Sequence, residues 1–147
     1  YHIIYNETLR DRVCAVSNKT HYNEMNVLSM HALIGAYQPQ GYEWVDELNQ
    51  VIQGNIDYFC DYVDEHFEGV GYSRPQGTYM VFLDCTEWCL EHGRDIQWLL
   101  DEGARVGVGY QDGRPFHGPC HIRVNLALPL SRVKEACERL DRYVFGV

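Results

Sequence analysis

Lysine is nearly absent from this sequence: Lys19 and Lys134 are the only two in 147 residues. Basic residues number 12 against 21 acidic ones, and the formal net charge is -9. A chain so short of positive charge repels phosphate backbones, which excludes nucleic-acid binding as a principal role and argues against docking on an anionic membrane. Long apolar runs are missing as well. None approaches the roughly 20 residues needed to cross a bilayer, so no membrane partner is expected. There is no signal-peptide pattern, no low-complexity tract and no internal repeat. The sequence does not start with Met, and the expectation is a piece excised from a longer protein.

What is present is ordinary globular material, 46% apolar and 22% charged. The six cysteines, Cys14, Cys60, Cys85, Cys89, Cys120 and Cys137, fall largely at apolar helix or strand positions. Reduced thiols and a cytoplasmic location are therefore expected in preference to a disulfide framework.

The pattern of apolar residues predicts an α+β (α/β) chain. Tyr1 to Tyr5 reads as a short strand, and Asn6 as the cap of a helix carrying Leu9, Val13 and Val16, with a polar break at residues 17–20. A second helix is expected over 26–37, with Val27, Leu28, Leu33, Ile34 and Tyr37 as its buried stripe, stopped by Pro39 and Gly41. A long amphipathic helix follows over about 43–67, on the stripe Trp44, Leu48, Val51, Ile52, Ile56, Phe59, Val63 and Phe67. Further on, the pattern predicts a strand at 79–83, a helix at 95–102 capped by Gly103 and a short strand at 106–108. A Gly- and Pro-rich loop at 109–120, a strand at 121–128 and a last helix capped by Ser131 complete the reading. The expected organisation is residues 1–42 as part of a large domain, 43–68 as a connecting helix, and 69–147 as a C-terminal small domain with a sheet of about three strands covered by helices.

The segment from His121 to Leu126 is the most informative for function. Side chains alternate across a strand, so Ile122, Val124 and Leu126 share a core face while His121, Arg123 and Asn125 share the other. Arg123 offers a permanent charge and a planar fork of donors that matches a carboxylate. Asn125, two residues on, is placed to bond the same anion or the Arg. The pattern alone favours a solvated Arg on an exposed sheet face.

Several ordered segments resemble the class I and II aminotransferase family of pyridoxal 5'-phosphate (PLP) enzymes, in particular the bacterial cystathionine β-lyase-like C–S lyases. These are Tyr1 to Asn6, Ala36-Tyr37 through Trp44 to Leu48, Pro75-Gln76-Gly77-Thr78-Tyr79 leading into Met80 to Asp84, and Arg123-x-Asn125-x-x-x-Pro129. The resemblance covers nearly the whole chain. It implies an aminotransferase or C–S β-lyase acting on amino acids with PLP as cofactor, and a homodimer. By the same resemblance Arg123 grips the substrate α-carboxylate, Asn125 is its neighbour in the motif, and Tyr79 lies near the substrate or packs. Asn23 and Asn26 fall where the family reaches toward a partner's cofactor, although either also fits a helix N-terminus. Tyr110-Gln111 departs from the Pro-Gly that many relatives carry before the Arg strand, which leaves the path of that loop open.

The resemblance also sharpens the lysine shortage. PLP chemistry needs a lysine that forms a Schiff base, and both Lys19 and Lys134 read as surface residues. No catalytic residue is therefore expected within this chain, and the Schiff-base lysine is expected upstream of Tyr1. A non-catalytic α+β module binding a small carboxylate or a protein partner is the alternative. Two Cys/His clusters, Cys85-x3-Cys89-x2-His92 and His117-x2-Cys120-His121, lack the paired spacing of zinc sites, and no metal is expected.

Overall fold

The computed structural model describes residues 3–22 and 24–147. The chain divides into two compact units, Tyr1–Val45 and Asp46–Val147.

The first unit is helical. Helix α1, Glu7–Thr20, starts at Asn6, whose side chain accepts from the Leu9 amide at 2.9 Å. That supplies one of the orphan amides of the first turn. The expected polar break at 17–20 is instead the end of this helix, closed by His21 in the left-handed region at φ 50°. Asn26 caps α2, Val27–Ala36, in the same way through the Ser29 amide at 2.9 Å. Two expectations are corrected here. Ile3 to Tyr5 forms no strand, while Tyr1 and His2 lie outside the described residues. The α2 stripe is not buried: Leu28 is 82% exposed, and Val27, Leu33, Ile34 and Tyr37 are exposed too. Burial needs an opposing surface, and no described residue of this unit is buried.

Helix α3, Pro39–His66, is longer than expected at its N-terminal end, because Pro39 opens it where it was read as a stop. Proline suits a first helical turn, whose amides have no intrahelical acceptor anyway. Its C-terminal half buries Asn55, Ile56, Phe59, Cys60 and Val63 in the second unit.

The core of the second unit lies between a sheet and helices. Strands β1 (Gly71–Tyr72), β2 (Met80–Asp84), β3 (Gln111–Asp112) and β4 (His121–Asn125) form one antiparallel sheet in the order β1-β2-β4-β3. The sheet thus has four strands where about three were expected. The predicted strand at 106–108 is absent, and the residues that pair are Gln111 and Asp112, within the expected loop. Alternation sends Val81 and Leu83 of β2, and Ile122 and Val124 of β4, into the core. They meet Phe59, Cys60 and Val63 of α3, and helices α4 (Thr86–Glu91), α5 (Ile96–Arg105) and α6 (Leu130–Leu140). Each fully buried aliphatic or aromatic side chain contributes roughly 1.5–3 kcal/mol. Trp88 of α4 is the largest of them. It donates from its indole nitrogen to the Phe145 carbonyl at 3.2 Å and packs edge-on against the Phe145 ring.

Two helix ends also differ from expectation. Gly103 is not a cap. It lies inside α5, buried under Tyr110, and an added Cβ would collide with that ring. The left-handed turn after α5 falls to Gly107 at φ 78°. Ser131 does not cap α6, which begins at Leu130 directly after Pro129.

Asn55 is the one buried polar side chain among the described residues. Its amide nitrogen donates to the carbonyls of Leu126 at 2.8 Å and Leu128 at 2.7 Å. Both belong to the segment leaving β4, so one side chain ties α3 to that strand. Replacing Asn55 by Ala strands two carbonyls, and urea denaturation is expected to show a loss of about 2–4 kcal/mol. Gln53→Ala, at an exposed position on the same helix, is expected to stay within about 0.5 kcal/mol. Equal effects for the two would show that the clamp contributes nothing.

Candidate functional site

The face of the sheet opposite the core carries cross-strand pairs. Register sets Met80 against Asn125, Phe82 against Arg123, and Asp84 against His121. On the other side of β4, Gln111 pairs with Arg123. Arg123 is therefore a central-strand residue with neighbours on both sides, and it is half-buried.

Arg10, Arg74, Arg105, Arg114, Arg132 and Arg139 each bridge to a carboxylate. Arg123 is one of four arginines, with Arg12, Arg94 and Arg142, that bridge to no carboxylate among the described residues. Its Cζ stands 3.8 Å from the centroid of the Phe116 ring, and Nη2 donates to the Met80 sulfur at 3.0 Å. A cation over an aromatic face is worth about 0.5–2 kcal/mol depending on desolvation. A thioether is a weak acceptor, so most of the donor capacity of this fork stays unspent. Thr78, Met80, Val81, Phe82, Phe116 and Arg123 line an open pocket of about 320 Å³. Thr78 adopts φ 72°, a conformation β-branched residues rarely take, so the backbone is strained at the pocket's rim.

The other anticipated residues are placed differently. Asn125 is exposed, and its side-chain oxygen accepts from the Ala127 amide at 2.9 Å, shaping the turn that leaves β4. Tyr79 is 44% exposed, and its carbonyl accepts from Leu126 N at 2.8 Å. No hydrogen bond joins either of them to Arg123. Asn26 caps α2 in the first unit; Asn23 lies outside the described residues. Sequence reasoning missed Met80 and Phe116 as neighbours of Arg123. The register of β2 against β4 brings in the first, and only a lone aromatic in a Gly- and Pro-rich loop hinted at the second.

His121 continues the same face. Its Nδ1 is enclosed without a hydrogen-bond partner, 3.7 Å from an Asp84 oxygen, and its ring lies 4.7 Å from that of Phe82. Burial works to raise the Asp84 carboxyl. Hydrogen bonds from the Thr86 hydroxyl and amide, with His121 nearby, outweigh it and hold Asp84 below the usual range.

The two Cys/His clusters meet where the Cys89 thiol hydrogen-bonds with that of Cys120. Among the described residues no group of three His, Cys, Asp or Glu side chains could hold a metal ion. His92 stacks on Trp88, and its Nδ1 lies 2.8 Å from the Trp88 carbonyl oxygen. Cys85 and Cys89 are core residues.

A family-level comparison decides what kind of chain this is. Residues 2–140 match the family described as aminotransferase class I and II. The chain belongs to the class I and II aminotransferase family. It is 32% identical over 124 residues to a Mycobacterium leprae protein named "Putative cystathionine beta-lyase", a match covering 69% of this chain and 28% of that protein. Two solved structures share its fold at 24% identity, each over 95% of this chain. One is a PLP-bound C-S lyase from Staphylococcus hominis, with a TM-score of 0.79 over 36% of that chain. The other is cystalysin from Treponema denticola, which contains PLP, with a TM-score of 0.80 over 35% of that chain. This member of the family thus spans about a third of the length of the relatives it matches.

Lys19 lies in the last turn of α1. Lys134 is on α6 with its ammonium 5.2 Å from the Tyr58 ring centroid.

Burial pushes the Cys89 and Cys137 thiols up to about 12, from an unperturbed 9.0. A thiol whose folded pKa is raised contributes stability that is complete below the unfolded pKa and is lost as pH rises toward the folded one. Thermal melts are therefore expected to hold steady from about pH 6 to 8 and to fall between about pH 9 and 12. In Cys137→Ala that alkaline loss should shrink; an unchanged slope would show that Cys137 is not a source of it.

Proposed function

We propose that this chain forms the substrate-carboxylate-binding part of a PLP-dependent aminotransferase or C–S β-lyase acting on amino acids. The observation that carries the reading is the Arg123 guanidinium, half-buried on a central strand, stacked on Phe116 and without a carboxylate partner among the described residues. The planar fork fits the two oxygens of a carboxylate. Arg123 binds and orients the carboxylate. Family membership supplies the amino-acid character of the ligand, and the PLP-bearing relatives support the cofactor.

In this reading residues 69–147 are the small domain, 43–68 the connecting helix and 1–42 part of the large cofactor-binding domain. Asn125 shapes the turn behind Arg123, Tyr79 borders the substrate, and Asn23 and Asn26 lie toward the cofactor of a second subunit in a homodimer. Burial of Cys60, Cys85, Cys89 and Cys137 as core thiols supports a reducing, cytoplasmic setting. One second reading is a carboxylate-binding module without catalysis, favoured by Lys134 lying against the Tyr58 ring and not among the residues lining the Arg123 pocket.

The PLP-loaded full-length protein separates the two. It is expected to show a Schiff-base absorption band and turnover of amino acids. In it, Arg123→Ala should raise KM about 10- to 100-fold, the loss of a charge-assisted pair, with the band unchanged. An unaltered KM would remove Arg123 from the site, and absence of the band would favour the module.

A further inference from the structure

We propose that Phe116 is a positioning residue, whose ring holds the Arg123 guanidinium flat so that its free edge meets a carboxylate. This rests on the reading of Arg123 given above. A guanidinium directs every N–H outward in its own plane. Stacking one face on a ring therefore restricts its rotation without using a donor. The Phe116 ring occupies a face at 3.8 Å, and the Met80 sulfur takes one N–H of Nη2. Among the described residues Nε and Nη1 make no hydrogen bond, so both stay available in a fixed plane. A thioether is the weakest acceptor that could park Nη2, and a carboxylate displaces it readily.

Phe116 is itself held in place, although it is 49% exposed and outside the core. It ends a tight turn, Arg114–Phe116, in which its amide donates to the Gly113 carbonyl at 2.8 Å. Gly113 in turn donates to the His121 carbonyl at 2.8 Å, and a Cβ at Gly113 or Gly118 would collide with His121. Arg114 anchors the other end of the turn to Asp112 at 2.7 Å and Gln97 at 3.0 Å. The loop bearing the aromatic is thus fastened to the strand that bears the arginine. The ring and the guanidinium keep their spacing because both are fixed to β4.

The test uses the 147-residue chain labelled with ¹⁵N and titrated with sodium acetate. The Arg123 Nε–H resonance should lie upfield from the Phe116 ring current and move on addition of acetate. Phe116→Leu should remove the ring-current shift and weaken acetate binding about two- to tenfold. Phe116→Trp should restore both, with melting temperatures unchanged throughout. In the PLP-loaded full-length protein, Phe116→Leu should raise KM for the amino acid by a similar factor, with kcat changed less. If Phe116→Leu binds acetate like the parent while Arg123→Ala does not bind, the positioning role is overturned and the carboxylate reading survives. If acetate leaves the Arg123 resonance of the parent chain unmoved, both fall.

Discussion

The amide of Asn55 fixes where everything else on the sheet can be. It is the one polar side chain buried among the described residues, and both of its N–H groups are spent on carbonyls of the segment leaving β4. Strand side chains alternate, so a slip of one residue would drive Arg123 into the core and lift Ile122 out of it. The pair of hydrogen bonds to Leu126 and Leu128 ties the end of β4 to one position on α3. With that position set, Val81, Leu83, Ile122 and Val124 face inward, and Phe82, Arg123 and His121 share the outer face.

Other contacts brace the same frame. Arg74 reaches from the segment after β1 to Asp57 and Asp61 of α3, each at 2.7 Å, and the Tyr72 hydroxyl donates to Asp64 at 2.7 Å with the Cys60 carbonyl oxygen 3.1 Å away. Exposed pairs of this kind contribute little individually, about 0–1 kcal/mol. Their value lies in direction, since all of them run from the sheet's β1 side to one helix. On the opposite side of the core, Trp88, Trp98, His92 and Phe145 stack into an aromatic cluster that closes the end of the unit. Arg123 thus sits on a scaffold held from two sides, while its own guanidinium is held only by a ring and a sulfur.

What the sequence made legible was periodic. The alternation in His121 to Leu126 placed Arg123 on the outer face, and the structure has it there. The stripe expected along the long helix is buried from Ile56 to Phe67, while Trp44 and Val51 of the same stripe are exposed; Asn6 marked the start of the first helix. Family membership was legible from ordered motifs and is shown. What escaped notice was aperiodic or tertiary. Helix α4 is six residues long, too short to display a period, and strands β1 and β3 have two residues each. Gly103 looked like a terminator, but it is a glycine because the Tyr110 ring lies against it. The apolar stripe of α2 was read correctly as a stripe and wrongly as buried, because amphipathicity says which face wants cover and not whether cover is present. The contact between Phe116 and Arg123 depends on a loop folding back onto a strand, and no spacing encodes that.

The strand order has a consequence for how the molecule meets its own copies. Both borders of the sheet are the two-residue strands β1 and β3, while the five-residue strands β2 and β4 lie inside. A sheet border displays unpaired backbone groups that another chain can extend, and short borders are one way proteins blunt that hazard. Here the long strands spend their ladders on each other. The strand carrying Arg123 is thus paired with β2 along its whole length and with β3 at Ile122 and Arg123, so at the arginine itself both edges of the backbone are taken.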